Sequence, residues 1–366
     1  MMSVRKAPLG PPDAAAQIES RPLRVVAIGG GTGLSTLLKG FKSYVSNPAM
    51  PLGPASECQI GELSAVVTVS DDGGSSGRLR KDFNMLPPGD VRNCIVALSE
   101  DEALLSKLFR HRFTQGPGLE GHSFGNLFLA ALTSITGDFA EAVRLSAEIL
   151  LTRGHIFPAT TSNVELEAII EDGSRVRGET KITASKGRIR ELVLVPPDVR
   201  PLPQTLRALA DADLITIGPG SLFTSMIPNL LVRGIVQAIL DSPALRVYIC
   251  NLMTQANESL GLTAADHIRA LDRHAGDAHI FDYALINSRP VSPEMKAKYA
   301  LEGACQIVSD LSAIEAMAVC PVLGDYLLEE SGVVRHNYER VARDLVELAM
   351  ARRQGNQSAL TKSIQR

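Results

Sequence analysis

The sequence lacks any apolar run long enough to span a membrane, for which about 18 residues are needed. Its N-terminus also lacks the hydrophobic core of a signal peptide. Basic residues show no excess: the formal charge is −3, whereas nucleic-acid binding usually needs a strongly basic surface. These absences argue against membrane insertion and against a nucleic acid as partner.

Cysteine is also scarce. The five cysteines form no C-x-x-C motif, and their odd number argues against a disulfide framework. A cytoplasmic location fits this usage best. The histidines are equally scattered along the chain, so they predict no metal site.

What the sequence does contain is enough apolar material for a large core: 45% of its 366 residues are hydrophobic and 21% are charged. Residues 1–20 are rich in proline and alanine without periodicity, and we expect them to be disordered. We expect one nucleotide-binding α/β domain over residues 24–335, with a β insertion at about 160–200. Residues 336–366 are expected to form a C-terminal helix and tail.

Short apolar runs rich in β-branched residues alternate with helical patterns: Val25–Ile28, Leu63–Val69, Leu214–Ile217 and Val247–Cys250. Such runs are typical of parallel strands that are covered on both faces. The alternation predicts a doubly wound, mostly parallel α/β sheet of Rossmann-like type, with ligands at the carboxyl ends of the strands. Residues 160–200 instead alternate around a turn at Asp172, which predicts an antiparallel β insertion.

The first predicted strand runs into a glycine-rich turn, "IGGGTGLSTLLKG", that is followed by a helical pattern. Glycine allows positive φ and lets a ligand approach the main chain, and a helix N-terminus there would present amides to a phosphate. The spacing matches neither the dinucleotide motif nor the P-loop. A tight turn that binds nothing therefore stays an alternative. The candidate ligand residues are Gly30, Gly31, Thr32 and Gly33.

The second predicted strand ends in "SDDGGSSGRLR", where Asp71 and Asp72 stand just before Gly74. Carboxylates at a strand end can accept hydrogen bonds from ribose hydroxyls, or they can coordinate a divalent cation that bridges phosphates. A turn with solvated acids is the third interpretation. The residues alone leave these three open.

Two further strand ends favour a ligand. "LITIGPGSLFTSM" repeats the pattern of strand, glycine turn and helix, with Gly218, Gly220 and then Ser221 at an expected N-cap. "YICNLMTQ" places Asn251 and Thr254 after its strand, and both carry neutral side chains suited to a base, a sugar or an amide. Four strands that end in this way favour a nucleotide-like ligand in one crevice.

Two segments predict helix starts. Asp90 is the expected N-cap in "PPGDVRNCIVALSE", and Ser123 or Gly125 opens the apolar helix of "GHSFGNLFLAALTSI". Four neighbouring side chains are weaker candidates for ligand contact: Arg92, Asn93, His122 and Asn126.

Several of these stretches, taken in order, resemble the YvcK-type gluconeogenesis factors, a UDP-GlcNAc-binding family. That family is related to the CofD-like proteins, whose enzymes are 2-phospho-L-lactate transferases. The resemblance covers Arg24 to Leu328. The stretches are "IGGGTGLSTLLKG", "VTVSDDGGSSGRLR", "PPGDVRNCIVALS", "GHSFGNLFLAAL", "IGPGSLFTSMIPNLL" and "CNLMTQ".

The resemblance implies a regulatory protein that binds a nucleotide sugar, UDP-GlcNAc, and links carbon metabolism to cell-wall synthesis and cell shape. By similarity, Asp71 and Asp72 match an acidic pair that lies near nucleotide and metal in the transferase relatives. The resemblance therefore leaves open a Mg²⁺ ion with Asp72 as a ligand, and it implies no other cofactor. It names no protein partner, and it is compatible with a homo-oligomer.

Two enzymatic functions are alternatives. The first is a magnesium-dependent phospholactyl-type transferase like CofD. It is disfavoured because "DDGGSSGRLR" and "CNLMTQ" depart from the transferase branch. The second is a nicotinamide-dependent oxidoreductase, which the failed dinucleotide spacing disfavours.

Overall fold

The computed structural model describes residues 21–45, 59–99, 104–185 and 187–355. The predicted segment 1–20 and the tail after residue 355 lie outside these residues. The described strands are β1 (Leu23–Gly29), β2 (Ile60–Val67), β3 (His155–Pro158), β4 (Glu165–Ile170), β5 (Arg175–Arg177), β6 (Ile189–Val195), β7 (Leu214–Ile217), β8 (Leu245–Ile249), β9 (Tyr283–Asn287), β10 (Cys320–Gly324), β11 (Leu327–Glu330) and β12 (Val333–His336).

The helices between and around these strands are α1 (Gly31–Lys42), α2 (Gly74–Phe83), α3 (Gly89–Leu98), α4 (Leu104–Arg110), α5 (Phe124–Thr136), α6 (Phe139–Ile149), α7 (Glu179–Ala184), α8 (Pro203–Asp211), α9 (Ile227–Leu230), α10 (Ile235–Asp241), α11 (Ala264–His274), α12 (Pro293–Ala300), α13 (Leu311–Glu315) and α14 (Tyr338–Arg353). A π-helix, Leu222–Met226, precedes α9 directly.

Seven of the strands form one parallel sheet in the order β10-β9-β8-β7-β1-β2-β3. This arrangement confirms the predicted doubly wound sheet. The chain adds strands outward on one side from β1 to β3 and on the other side from β7 to β10. The direction therefore reverses between β1 and β7, and such a switch point opens a crevice at the carboxyl ends of the strands.

The central strands are apolar on both faces because helices cover both. All four residues of β7 are buried, and β7 pairs with β1 from Val25 opposite Leu214 to Ile28 opposite Ile217. Helix α1 buries Leu34, Leu37, Leu38 and Phe41 at helical spacing. Helix α14 packs closely on α1, since a Cβ at Gly40 would lie 2.4 Å from the carbonyl oxygen of Tyr338.

The predicted antiparallel insertion is confirmed as a three-stranded sheet in the order β5-β4-β6. In β4, Leu166 and Ala168 to Ile170 are buried, while Glu165 and Glu167 are partly exposed. Helix α7 follows β5 and returns the chain toward the main sheet. A second small sheet, the β11–β12 hairpin, was not predicted from the sequence.

None of the described helices is by itself long and apolar enough to cross a membrane. Two consecutive helical segments, Leu222–Leu230 and Ile235–Asp241, meet the length and composition requirement only when they are taken together. A bend of 73° separates them.

Candidate functional site

A cleft of about 530 Å³ lies at the carboxyl ends of β1, β2, β7 and β8, beside the switch point. It is lined by both glycine loops, three carboxyl groups and the β11–β12 hairpin. The lining residues are Gly30–Gly33, Thr36, Asp71, Asp90, Glu179, Pro219–Ser221, Thr224, Ser225, Asn251–Gln255, Tyr299 and Val333–His336.

The two glycine loops pack directly on each other. A Cβ at Gly33 would lie 2.2 Å from the carbonyl oxygen of Pro219, so only glycine permits this contact. Gly31 has φ +61° and Gly218 has φ +90°, conformations that side chains rarely adopt. The glycines therefore serve loop packing and backbone conformation, whichever ligand the cleft binds.

Asp90 holds the first loop, in a role different from the one predicted. It is not an N-cap, because α3 begins at Gly89 with Pro88 in the N-cap position. Asp90 instead lies in the first turn, and its Oδ2 accepts a hydrogen bond of 2.7 Å from the backbone amide of Gly31. Burial raises the pKa of Asp90 to about 6, against the opposing effect of the Gly31 amide.

Glu258 plays the corresponding part at the second loop. Its Oε1 accepts hydrogen bonds of 2.9 Å from the amides of Phe223 and Thr224, at the start of the π-helix. Ser221 occupies the predicted N-cap position but makes no capping bond; its Oγ accepts from Nε2 of Gln255 at 2.9 Å. Burial raises the pKa of Glu258, although the two amide bonds lower it.

Two amides of the first loop stay available to a ligand. At the N-terminus of α1, the amides of Thr32 and Gly33 lie too early in the helix for an intrahelical acceptor. They have no acceptor among the described residues, whereas the Gly31 amide is bound by Asp90 and the Leu34 amide by Gly30.

Asp71 and Asp72, the acidic pair after β2, have different roles. Asp71 lines the cleft, and its Oδ1 accepts a hydrogen bond of 2.8 Å from the amide of Gly73. Asp72 does not line the cleft. Its Oδ1 accepts from both the amide (2.8 Å) and the hydroxyl (2.5 Å) of Thr180, so Asp72 ties helix α7 of the insertion to the end of β2. Gly74 also lies outside the lining.

Three carboxyl groups, those of Asp71, Asp90 and Glu179, face the same cleft. Burial, together with the negative charges of Asp71, Asp90 and Asp72, raises the pKa of Glu179 to about 9. In the described part of the chain, no group of three or more His, Cys, Asp or Glu side chains has the arrangement of a metal site.

The β11–β12 hairpin supplies the opposite wall. Arg335 belongs to the lining and is exposed. Nε2 of His336 donates to the carbonyl oxygen of Cys250 at 3.0 Å, and burial lowers the pKa of this imidazole to about 4. His336 is therefore neutral at pH 7, and Arg335 carries the positive charge of this wall.

Asn251 and Thr254, both predicted ligand residues, line the cleft, but their polar atoms are engaged by the chain. Asn251 binds the second loop with both ends of its amide: Oδ1 accepts from the Gly220 amide at 3.2 Å, and Nδ2 donates to the Gly220 carbonyl at 2.6 Å. Oγ1 of Thr254 accepts from the amide of Cys305 at 2.9 Å.

The weaker candidates near α5 lie elsewhere. Nδ1 of His122 is 2.9 Å from Oγ of Ser75, and Asn126 donates to the same hydroxyl, in a buried contact between α2 and α5. Ser123 is the N-cap of α5, as predicted, and accepts from the amide of Asn126. Arg92 and Asn93 hydrogen-bond to each other. None of these residues lines the cleft.

Sequence reasoning missed several cleft residues. Glu179 lies in a segment whose pattern predicts only a β insertion, and Arg335, His336 and Tyr299 lie outside the glycine-rich and polar motifs that follow the strands. Their approach depends on tertiary folding. The contact between Asp72 and Thr180 positions Glu179 at the cleft. The β11–β12 hairpin positions Arg335 and His336, and helix α12 positions Tyr299.

A larger cleft of about 1210 Å³ lies along the opposite part of the sheet, between α6 and α8. Leu151, Phe157 and Arg207 belong to its lining, and none of the predicted ligand residues does. The smaller cleft, where the strand ends converge, is therefore the candidate site.

Comparison with known proteins shows the family to which the chain belongs. A family model described as "2-phospho-L-lactate transferase CofD" matches residues 25–327. A gluconeogenesis factor from Halalkalibacterium halodurans is 47% identical over 323 residues, which are 88% of this chain and 95% of that protein. The gluconeogenesis factor of Bacillus subtilis is 45% identical over 325 residues, 89% of this chain and 98% of that one.

Solved structures share the fold. A crystal structure of a protein from Bacillus halodurans has a TM-score of 0.83 and 46% identity, covering 89% of this chain and 100% of that one. A second crystal structure from the same organism has a TM-score of 0.81, also at 46% identity. The chain belongs to the CofD family, and the two curated relatives from Halalkalibacterium halodurans and Bacillus subtilis are named gluconeogenesis factors.

Proposed function

We propose that the chain binds a nucleotide sugar, UDP-GlcNAc, in the cleft at the switch point. We further propose that it acts in the cytoplasm as a regulatory protein that links carbon metabolism to cell-wall synthesis and cell shape, through a protein partner. One observation carries the binding proposal. The two glycine loops touch beside the N-terminus of α1, where the amides of Thr32 and Gly33 are available to a ligand.

The cleft provides the chemistry that a diphosphate needs. The amides of Thr32 and Gly33 lie at the positive end of α1, which favours an anion. Arg335 stands on the hairpin across the cleft and adds a guanidinium, a group suited to phosphate oxygens. The volume of about 530 Å³ falls within the range usual for small-molecule sites.

The carboxyl groups set a condition on binding. Asp71, Asp90 and Glu179 would repel phosphate oxygens if all were ionised, so the ligand needs a cation or a proton nearby. Arg335 offsets part of this repulsion. Mg²⁺ would offset more, and for this reason the binding test is made with and without magnesium.

The test is calorimetric titration of the full chain with UDP-GlcNAc, UDP-glucose, GDP-mannose and NAD, each with and without Mg²⁺. We expect UDP-GlcNAc to bind most tightly. Arg335→Met should weaken binding by about tenfold, since the loss of one charge-assisted contact is expected. Arg207→Met, in the larger cleft, is the matched control and should bind as the wild type does. Failure of every nucleotide to bind in either condition would overturn the proposal.

A second candidate function follows from the description of the matching family model, which is that of a phospholactyl transferase. A magnesium-dependent transfer would have to use the same cleft. We expect no product from a deazaflavin acceptor and an activated phospholactate donor, because the sequence after Asp72 departs from the transferase branch. Magnesium-dependent product formation by the wild type, lost on cleft substitution, would favour the transferase instead.

A further inference from the structure

Glu179 reaches the cleft from the antiparallel insertion. It belongs to none of the motifs that follow the strands, and the proposed function assigns it no role. We propose that Glu179 meets the phosphates of the ligand as a neutral carboxyl that donates a hydrogen bond, and that Asp72 is the positioning residue that holds Glu179 there. The inference rests on the proposed function, because it specifies how the same cleft accepts a nucleotide sugar.

The positioning part follows from the contacts at the start of α7. Glu179 is the first residue of this helix, and Thr180 beside it gives both its amide and its hydroxyl to Oδ1 of Asp72. Gly178, just before, has φ +100°, and a Cβ there would lie 2.6 Å from Oδ2 of Asp72. The first turn of α7 is thus fixed on the end of β2 from both sides of Glu179.

The neutral state follows from the charges that surround Glu179. Asp71, from the loop before α2, and Asp90, from α3, share the cleft lining with Glu179. The negative charges of these two residues act on Glu179, as do those of Asp72 and of Glu258, in the loop before α11. A further negative charge beside these carboxylates and away from water is unfavourable. Burial and these neighbours raise the pKa of Glu179 to about 9.

The nearby positive charges do not remove this effect. Arg80 on α2 interacts electrostatically with Asp71, Asp72 and Glu179, but it is itself buried and donates to the carbonyl oxygen of Val164. Arg335 and His336 lie on the hairpin wall, and His336 is neutral at pH 7 because burial lowers its pKa to about 4. A neutral Glu179 therefore presents an O–H donor to phosphate oxygens, where an ionised one would repel them.

The first test needs no ligand. A carboxyl whose pKa is higher in the folded than in the unfolded chain contributes stability at low pH, and this contribution is lost as the pH rises toward 9. Glu179→Gln cannot ionise. The Tm of this variant should therefore gain on the wild type by several degrees between pH 5 and pH 9. Glu171→Gln, at the exposed turn of the same insertion, is the control, and its Tm difference should stay constant.

The second test is the pH dependence of UDP-GlcNAc affinity. Wild-type affinity should be flat near pH 7 and fall about tenfold by pH 10, one unit above the pKa, because the donor is then mostly ionised. Glu179→Gln keeps an N–H donor and should show a flat profile. Glu179→Ala should bind more weakly than Glu179→Gln at pH 7.

The role of Asp72 is tested through the same profiles. Asp72→Ala releases Thr180, so it should weaken binding at pH 7 and also flatten the pH dependence of the affinity, which a purely structural role would not do. Thr180→Val removes one of the two hydrogen bonds and should have a smaller effect in the same direction.

Three results would overturn the proposal. One is a Tm difference between Glu179→Gln and the wild type that does not change with pH. Another is the loss, in Glu179→Gln, of a magnesium-dependent part of the binding, since this would assign an ionised Glu179 to a cation. The third is no nucleotide binding by the wild type, which would remove the proposed function and the donor role together. In that case the Tm profile would still decide whether Glu179 is a neutral carboxyl at pH 7.

Discussion

The glycine loops after β1 and β7 share the sequence pattern of strand, glycine turn and helix, but they use their backbone groups differently. In the first loop Asp90 binds one amide, that of Gly31, and leaves those of Thr32 and Gly33 available. In the second loop Glu258 binds two amides and Asn251 binds both polar groups of Gly220. A glycine turn before a helix therefore does not by itself leave backbone amides available. Carboxylates and amides from distant parts of the chain decide which loop stays open.

The largest effect is expected where the two loops touch. Gly33→Ala would place a Cβ 2.2 Å from the carbonyl oxygen of Pro219, and both partners are backbone, so the loops must separate. We expect the free energy of unfolding to fall by about 4 kcal/mol, a loss larger than most single substitutions cause. Urea denaturation followed by circular dichroism measures it.

Gly29→Ala is the matched control for this substitution. Gly29 ends β1 in the same loop, but its Cβ would lie at an ordinary distance of 3.5 Å from Cβ of Leu34. It should cost less than about 1.5 kcal/mol. Equal losses in the two variants would mean that the contact between the loops does not limit stability.

The next effect tests how the second loop is closed. Glu258→Ala leaves the amides of Phe223 and Thr224 without their acceptor in a buried site. We expect a loss of about 3 kcal/mol in the free energy of unfolding. Glu258→Gln keeps an acceptor oxygen and should lose less. If alanine is no worse than glutamine, the carboxylate does not hold the start of the π-helix.

Much of this architecture could be predicted from the sequence, because parallel strands buried on both faces leave continuous apolar runs such as Leu214–Ile217. The glycine turns were predicted for a similar reason, since positive φ restricts the residue type locally. The tasks of Asp71 and Asp72 could not be separated in advance. Adjacent residues at a strand end point in different directions, and only the position of Thr180 in the fold shows that Asp72 belongs to the insertion.

Asp90 and Glu179 show the same limit. The residues before Asp90 predict a helix start correctly, but the start lies two residues earlier, with Pro88 instead of Asp90 as the N-cap. The Asp90 carboxylate therefore binds the Gly31 amide and does not cap its own helix. Glu179 carries no local pattern at all, since its place in the cleft depends on how the insertion docks. Local sequence predicts elements and turns, whereas these two contacts arise between elements.

A smaller effect is expected on the pH dependence of stability. It tests Asp90, which binds the Gly31 amide and leaves the amides of Thr32 and Gly33 available. The pKa of Asp90 is raised from 3.8 to about 6 by burial, so the stability that this group contributes at low pH is lost as the pH rises through 6. The stability of the wild type relative to Asp90→Asn should therefore fall by about 1.5 kcal/mol between pH 5 and pH 7.5. Denaturation of both proteins at the two pH values measures it. A constant difference would mean that Asp90 titrates near its ordinary pKa.

The smallest effect decides whether Asn251 holds the second loop or contacts the ligand. Both ends of its side-chain amide are bound to Gly220, although the motif that contains Asn251 favours contact with a base or sugar. If Asn251 only holds the loop, Asn251→Ala should lower the free energy of unfolding by about 1 kcal/mol, the usual net value of such hydrogen bonds. UDP-GlcNAc affinity should then fall by less than tenfold, because Gly220 shifts while the amides of Thr32 and Gly33 stay in place.

The opposite pattern would contradict this assignment. A loss of affinity of a hundredfold or more, with the free energy of unfolding unchanged, would mean that the ligand takes over the bonds that Gly220 makes with Asn251. Thr254→Val is a suitable companion, since its hydroxyl also binds the chain, at the amide of Cys305. If both variants lose stability and little affinity, the motif after β8 shapes the wall of the cleft, and the first glycine loop remains the part of the site that is open to phosphate.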